Sequence, residues 1–198
     1  MPRLVCDCSV SLDGFTAGHN QSLEHPFGDI DGEKLTEWMF RTPEEARAED
    51  GMRSEIGAYI MGRNMFSPAR GAWDLAWRGW WGEDPPYHAP VFVLTHYERD
   101  PLPLEGGTTF HFVTDGIEAA LDRARAVAGD RDVAIAGGTT TVNAYMAAGL
   151  LDELRIHRVP MVTGGGVRLF EGVGPIDLEA VSTRQADLVT HTIYRFPR

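Results

Sequence analysis

Two glycines followed by threonines stand where a predicted buried strand gives way to a predicted helix. The strand covers residues 133–136, and Gly137, Gly138, Thr139 and Thr140 follow it directly. Glycines let a backbone approach a bulky anion, and the first N–H groups of a helix attract negative charge. The pattern predicts a phosphate-binding turn. A strand-to-helix turn that is capped by a threonine and binds no ligand is the alternative.

Phosphate-suited donors follow two further predicted strands: Gly62, Arg63 and Asn64 after residues 58–61, and Thr95 and His96 at the end of residues 91–95. An arginine fork binds phosphate through two parallel hydrogen bonds, which makes Arg63 a candidate clamp. A surface arginine without a ligand is the alternative. Ligands of open α/β sheets bind beyond the carboxyl ends of the strands, so we expect one site that joins these strand ends.

Positioning these residues requires a sheet whose strands alternate with helices. Strands are predicted over 4–11, 58–61, 91–95, 109–113, 133–136 and 153–162, with a terminal hairpin over 178–183 and 189–196. Helices are predicted over 32–40, capped by Asp31, over 43–56, over 117–128, capped by Asp115, and over 139–146. The order predicts an α/β fold with a mostly parallel central sheet, an antiparallel C-terminal edge and helices on both faces.

The charge and composition limit the partners. The 198 residues include 29 acidic and 18 basic ones, a net charge of −11. Nucleic-acid and anionic membrane surfaces both need basic residues, so neither is expected as a partner. No run approaches the about 18 apolar residues of a membrane span, and the first residues have no signal-peptide pattern. We therefore expect a cytoplasmic protein with a small-molecule substrate.

The two cysteines, Cys6 and Cys8, stand two apart in the first predicted strand and so share a face. A disulfide between such positions has poor geometry, and a metal site would need further ligands. We predict buried free thiols and no metal site.

Four of the five tryptophans fall within nine residues, at positions Trp73, Trp77, Trp80 and Trp81. Such a segment can close over a site and stack on a planar ring. It can equally pack on the sheet or form a dimer surface. Trp81 and His88, the best-placed imidazole of the segment that follows, are candidate substrate contacts.

Six short motifs follow one another along the chain: Ser-Leu-Asp-Gly-Phe-Thr-Ala-Gly at 11–18, Met-Gly-Arg-Asn at 61–64, Val-Phe-Val-Leu-Thr at 91–95, Ala-Gly-Gly-Thr at 136–139, Leu-Asp-Glu-Leu-Arg-Ile at 151–156 and Gly-Gly-Val-Arg-Leu-Phe at 165–170. In this order they resemble the dihydrofolate-reductase-like superfamily, and above all the RibD C-terminal domain, the reductase domain of bifunctional riboflavin biosynthesis proteins. The resemblance covers nearly the whole chain. It implies one domain over residues 1–198, a dihydrofolate-reductase-like three-layer fold and NADPH as the cofactor.

The resemblance also implies roles for the motif residues. The resemblance implies that the 2′-phosphate and adenosine end of NADPH binds at Gly62, Arg63, Asn64, Thr95, His96 and Thr114. The pyrophosphate is expected to bind at Gly137, Gly138, Thr139 and Thr140. The nicotinamide is expected to lie along the backbone of Thr16, Ala17 and Gly18. Asp13 matches an acid of the family and is the candidate catalytic residue, although an aspartate at this position can also simply form the turn.

The function that follows is an NADPH-dependent reductase that transfers a hydride to a small substrate. It resembles the 5-amino-6-(5-phosphoribosylamino)uracil reductase of riboflavin biosynthesis, and we expect a homodimer. Residues 24–55 hold ten acids and four bases, which argues against a phosphorylated substrate. The alternatives are dihydrofolate reductase activity, an NADPH-binding module without turnover and a purely structural dimer subunit.

Overall fold

The polar strand ends belong to one sheet. The structure is a computed structural model that describes residues 2–41 and 55–197. Its strands are β1 Leu4–Ser11, β2 Phe15–Ala17, β3 Ile56–Gly62, β4 Pro90–Leu94, β5 Leu102–Pro103, β6 Thr109–Val113, β7 Asp132–Gly137, β8 Glu153–Val159, β9 Val167–Arg168, β10 Glu179–Gln185 and β11 Thr190–Arg195. Its helices are α1 Gly32–Thr36, α2 Trp38–Arg41, α3 Arg63–Phe66, α4 Ile117–Ala128 and α5 Thr139–Ala147, and a 3-10 turn covers Glu105–Gly107.

The central sheet is mostly parallel. Within the two described ranges, nine strands pair in the order β10-β11-β8-β1-β7-β3-β4-β6-β5. The pairs from β8 to β6 are parallel, whereas β11 and β10 add an antiparallel edge at one side and β5 adds another. The predicted parallel sheet with an antiparallel C-terminal edge is confirmed. A separate antiparallel ribbon joins β2 to β9.

Continuous apolar runs form the middle of the sheet, as predicted. Residues 56–61 of β3 are all buried, and so are residues 91–93 of β4 and 133–135 of β7. Parallel strands that are covered on both faces require such runs, because neither side of the strand meets water.

Helices cover both faces of the sheet, as predicted. On one face, α4 and α5 bury Leu121, Val142 and Tyr145 against Ile60 and Ile135. On the other face lie α3, the tryptophan-rich segment and, over β8, the short helices α1 and α2. Among residues 2–41 and 55–197, no helix has the length and apolar character that crossing a bilayer requires.

The predicted helix over 32–40 is two short helices. Asp31 caps α1 as predicted, because its carboxylate accepts a hydrogen bond from the Lys34 amide at 3.0 Å. The break lets Trp38, the first residue of α2, bury its ring against the sheet. The predicted helix over 43–56 lies outside the described residues except for its last two, and Ile56 begins β3 instead of ending a helix.

Other elements also differ from the predictions. β8 ends at Val159 because Pro160 has no N–H with which to continue the ladder. The N-cap of α4 is Gly116, since the carboxylate of Asp115 is paired with Arg123. The short helix α3 was not predicted.

The two cysteines lie on the face of β1 that α4 and α5 cover. Both are free, as predicted, but only Cys6 is fully buried and Cys8 is half-buried. Burial raises the pKa of Cys8 to about 12, so its thiol stays protonated at neutral pH.

Candidate functional site

A cleft runs along the carboxyl ends of β3, β4, β6 and β7, and its volume is about 1180 Å³. The predicted site residues that line it are Thr16, Ala17, Gly62, Arg63, Asn64, Trp81, Thr95, His96, Thr114, Gly137, Gly138, Thr139 and Thr140. Three predicted residues, Asp13, Gly18 and His88, are not part of its lining. The structure therefore brings the three polar strand ends together, as parallel pairing requires.

The N-terminus of α5 opens onto this cleft. Its N-cap residue is Gly138, which has no side chain to offer, so neither Thr139 nor Thr140 caps the helix. The amides of Thr141 and Val142 donate to the carbonyl of Gly138 at 2.9 and 3.1 Å. The amides of Thr139 and Thr140 lie ahead of them in the first turn, where a helix supplies no acceptor. These N–H groups and the positive end of the helix dipole suit an anion.

Close approaches hold this turn in place. A Cβ atom at Gly62 would lie 2.5 Å from the Thr141 hydroxyl oxygen, so a larger residue would displace that side chain where β3 meets α5. Gly137 has a φ of +112° and joins Gly138 through a cis peptide bond. A Cβ atom at Gly137 would lie 3.1 Å from the sulfur of Met65, which also lines the cleft.

A hydroxyl pair connects the turn to the β2–β9 ribbon. Thr16 Oγ1 and Thr139 Oγ1 are hydrogen-bonded to each other. This bond brings β2 to the start of α5, where Ala17 also lines the cleft. Gly18 is directed away, because it packs against Asp29, whose carboxylate a Cβ atom at Gly18 would meet at 2.3 Å.

Arg63 is held firmly at the end of β3. Its Nε donates to the carbonyl of Ala69 at 3.1 Å and its Nη2 to the carbonyl of Gly71 at 2.7 Å. Its guanidinium lies 3.9 Å from the ring centre of Trp73 and 5.0 Å from that of Tyr97. Burial lowers the pKa of Arg63, yet the group remains a cation at neutral pH. Because a guanidinium has five N–H groups, donors remain for a phosphate.

A second cation stands beside Arg63 that sequence reasoning missed. Arg70 lines the cleft, and its Nη1 donates to Asn64 Oδ1 at 2.5 Å. The Asn64 amide group donates in turn to the side chain of Gln21 at 3.3 Å. No motif marks Arg70. Its place depends on α3, which turns the chain back after β3.

Residues at the ends of β4 and β6 complete this part of the cleft. The buried hydroxyl of Thr95 accepts from the Tyr97 amide at 3.1 Å, which fixes the turn after β4. Its neighbour His96 is exposed. Thr114 is exposed as well, and its hydroxyl donates to Asp115 at 3.5 Å.

The tryptophan-rich segment divides between the two roles proposed for it. Trp73 and Trp77 pack on the sheet, where their indole N–H groups donate to the carbonyls of Tyr97 and Phe66 at 2.9 and 2.7 Å. Trp80 and Trp81 line the cleft, and Trp81 is 55% exposed.

The structure places His88 away from the cleft, contrary to its predicted substrate contact. Its ring Nδ1 lies 3.0 Å from the carbonyl of Gly106 and its backbone has a φ of +45°. The imidazole is therefore occupied with the turn at residues 105–107.

Asp13 is also absent from the cleft lining, and its carboxylate is hydrogen-bonded within loops, which agrees with the alternative of a turn-forming aspartate. Its carboxylate accepts from the Ser11 hydroxyl at 2.7 Å, the Thr163 amide at 3.1 Å and the Gly164 amide at 2.8 Å. These hydrogen bonds, first that of Ser11, lower the pKa of Asp13 to about 2. The bonds to Thr163 and Gly164 join the turn after β1 to the loop before β9, so the geometry favours a tie between two loops.

The floor of the cleft holds polar side chains that the sequence analysis did not select. Asp7 and Ser9 project from β1, and His157 projects from β8. His157 Nε2 lies 3.2 Å from Asp7 Oδ1, and the Trp38 indole donates to the Ser9 hydroxyl at 3.0 Å. Strand alternation in β1 is the signal that was available, because Asp7 and Ser9 fall between the apolar Cys6, Cys8 and Val10.

Both the sequence and the fold of this chain match known proteins. The sequence model described as the RibD C-terminal domain matches residues 2–192. YyaP of Bacillus subtilis (strain 168), an uncharacterized protein, is 27% identical over 193 residues, which are 92% of this chain and 88% of that protein.

Solved structures share the architecture. A Shewanella sp. PV-4 protein provisionally assigned to riboflavin biosynthesis matches with a TM-score of 0.69 and 23% identity, over 99% of both chains. A Thermotoga maritima diaminohydroxyphosphoribosylaminopyrimidine deaminase/5-amino-6-(5-phosphoribosylamino)uracil reductase matches with a TM-score of 0.62 and 15% identity. The match covers 99% of this chain but 57% of that one. RibD of Acinetobacter baumannii matches with a TM-score of 0.61 and 18% identity. That match covers 100% of this chain and 58% of the Acinetobacter chain. The predicted dihydrofolate-reductase-like fold is thereby confirmed.

The tie made by Asp13 predicts a pH-dependent contribution to stability. The folded-state pKa of about 2 is below the ordinary 3.8, so the contribution is complete above pH 4 and disappears as the pH falls towards 2. At pH 7 the Tm of Asp13→Asn should therefore be lower than that of the wild type. The difference should shrink between pH 4 and pH 2.

Asp122→Asn, which changes an exposed carboxylate on α4, is the matched control and should leave Tm nearly unchanged. A Tm difference for Asp13→Asn that is the same at every pH would contradict the role assigned to the ionised carboxylate.

Proposed function

The chain belongs to the RibD C-terminal domain family, and from that premise we propose that it is an NADPH-dependent reductase acting on a small substrate. The observation that carries the proposal is the start of α5, whose glycine N-cap leaves backbone N–H groups directed at the cleft. Arg63 and Arg70 stand at the same edge of the sheet. An anionic nucleotide fits this arrangement of donors despite the net charge of −11.

The chain offers a partner for each part of such a cofactor. The amides of Thr139 and Thr140 would receive the pyrophosphate, with Gly137 and Gly138 allowing its close approach. Arg63 would hold the 2′-phosphate, and Thr95, His96 and Thr114 would border the adenosine. Thr16 and Ala17 would border the nicotinamide. When bound, NADPH supplies the hydride, and the protein contributes orientation and exclusion of water.

The rest of the cleft supplies the place for a substrate. Leu35, Trp38 and Met39 of α1 and α2 and the rings of Trp80 and Trp81 line it. These side chains suit a planar compound. Reduction of an aminopyrimidine, as in the reaction named for the Thermotoga protein, is the reaction that we propose. This substrate class would stack on the exposed indole of Trp81.

We also propose that the chain forms a homodimer in the cytoplasm. All seven residues of β10 are exposed, and the strand lies at the edge of the sheet with Val181 39% exposed. Such an edge is a template for pairing with another strand, and a second copy offers a matching one. Sedimentation equilibrium should give twice the chain mass of 21.9 kDa, whereas a single-chain mass at micromolar concentration would contradict the proposal.

Arg63→Ala tests the cofactor assignment. Loss of a charge-assisted contact should weaken NADPH binding by about 10-fold or more in a fluorescence titration, while NADH, which lacks the 2′-phosphate, should be little affected. The NADPH-to-NADH affinity ratio is the decisive quantity, because a general loss of structure would weaken both cofactors equally. Arg131→Ala, at an exposed position before β7, is the matched control. Equal wild-type affinity for both cofactors would refute the phosphate assignment.

Turnover separates a reductase from a binding module. NADPH consumption is followed at the nicotinamide absorbance with 5-amino-6-(5-phosphoribosylamino)uracil, its dephosphorylated form and dihydrofolate. We expect reduction of an aminopyrimidine. Reduction of dihydrofolate alone would identify the alternative enzyme, and tight NADPH binding without any consumption would favour a module without turnover.

A further inference from the structure

The loop that follows α3 is bonded to Arg63 on both sides of Arg70. Arg63 donates from Nε to the carbonyl of Ala69 and from Nη2 to the carbonyl of Gly71, at 3.1 and 2.7 Å. These carbonyls belong to the residues directly before and after Arg70. One guanidinium thus fixes the backbone from which the second guanidinium extends, and both arginines line the cleft.

Other contacts hold the same loop. Ser67 is buried, and its amide donates to the Arg63 carbonyl at 2.7 Å, which closes α3. The Ser67 hydroxyl accepts a hydrogen bond from the Ala69 amide at 3.4 Å. The Arg63 guanidinium packs on the ring of Trp73, so its own position is fixed as well. The backbone at Arg70 is therefore set by the protein itself, whereas the Arg70 side chain is exposed.

A neutral amide orients this exposed side chain. Arg70 Nη1 donates to Asn64 Oδ1 at 2.5 Å, and Asn64 Nδ2 donates to Gln21 at 3.3 Å. Because an amide carries no charge, the bond to Asn64 orients the guanidinium without compensating its charge. Within residues 2–41 and 55–197, Arg70 makes no other hydrogen bond, so four of its five N–H groups remain for a ligand.

The charges of both cleft arginines are uncompensated in the part of the chain that the structure describes. Ion pairs with carboxylates form there at Arg3, Arg41, Arg78, Arg123, Arg125, Arg155 and Arg195. Arg63 and Arg70 are not among them, although the chain has 29 acidic and 18 basic residues. Burial and the nearby charge of Arg70 lower the pKa of Arg63, so the two cations repel each other. A bound anion would relieve this repulsion.

We propose that Arg70 is a second arm of the 2′-phosphate site, closing on the phosphate that Arg63 holds, and that Asn64 positions it. This inference rests on the proposed function. A phosphate monoester has three terminal oxygens and carries about two negative charges at neutral pH. Arg63 uses two of its five donors on the loop, so it leaves part of such a group unbound. The two arginines together match the phosphate in charge and in donors.

Cofactor titrations test the role of Arg70. Arg70→Ala should weaken NADPH binding about 10-fold, because a charge-assisted contact is lost, and should change NADH binding less than about 2-fold. Arg70→Lys should recover part of the loss, since an ammonium keeps the charge but not the planar fork. Arg131→Ala, which removes an exposed arginine outside the cleft lining, is the matched control and should bind both cofactors as the wild type does.

Thermal unfolding separates the parts played by the two arginines. Without a cofactor, Arg63→Ala should lower Tm by several degrees, because the loop loses two hydrogen bonds. Arg70→Ala changes an exposed side chain, so its Tm should stay within about 2 °C of the wild type. Added NADPH should then raise the Tm of Arg70→Ala less than that of the wild type, whereas NADH should raise both equally. A Tm of Arg70→Ala as low as that of Arg63→Ala would show a structural role instead and overturn the proposal.

A double variant tests the positioning role of Asn64. Asn64→Ala should lower the NADPH-to-NADH affinity ratio by a smaller factor than Arg70→Ala. Combined with Arg70→Ala it should change the ratio no further, because the group that it orients is gone. Effects that multiply in the double variant would overturn this part of the proposal.

The titrations also separate this inference from the proposed function. A wild-type affinity ratio in Arg70→Ala would overturn the second arm and leave the NADPH assignment standing. Equal weakening of NADPH and NADH in this variant would place Arg70 at the pyrophosphate, which also overturns the second arm. Equal wild-type affinity for the two cofactors would refute the 2′-phosphate site itself.

Discussion

The contact between the end of β3 and the start of α5 is the constraint on which the cleft depends. A larger residue at Gly62 would displace the Thr141 side chain, so the glycine lets α5 begin close to the end of β3. This closeness brings the first amides of α5 to the edge where Arg63 emerges. It also sets Thr139 within reach of Thr16, which brings the β2–β9 ribbon to the same place. A single close approach thus assembles groups from distant parts of the chain.

The parallel order of the strands positions the other polar groups of the cleft. Because β1 lies between β8 and β7, the polar floor and the phosphate-suited turn share one sheet edge. Donors for an anion occupy one side of the cleft, and a carboxylate backed by imidazoles occupies the other. Keeping these apart allows a chain of net charge −11 to offer a local site for a phosphorylated cofactor.

Residue patterns predicted the sheet well because buried parallel strands leave continuous apolar runs. They predicted the strand-end donors because parallel strands end at a common edge. They did not place Asp13 and His88, whose side chains are taken up by loop and turn contacts that depend on residues far along the chain. They also missed the pairing of Asp7 with His157, since 150 residues separate the two and only strand register joins them.

Alternation along β1 has a consequence for how this sequence can change over time. Cys6 is buried in the apolar layer under α4 and α5 and Cys8 packs against it, whereas Asp7 and Ser9 lie on the opposite face, beside His157 and Trp38. A one-residue deletion or insertion upstream in this strand would exchange the two sets, since side chains alternate with a period of two. A carboxylate would then enter the apolar core, and the thiols would replace it beside His157 and Trp38. A change in the length of β1 would therefore disturb both faces of the sheet at once, whereas a substitution changes only one of them.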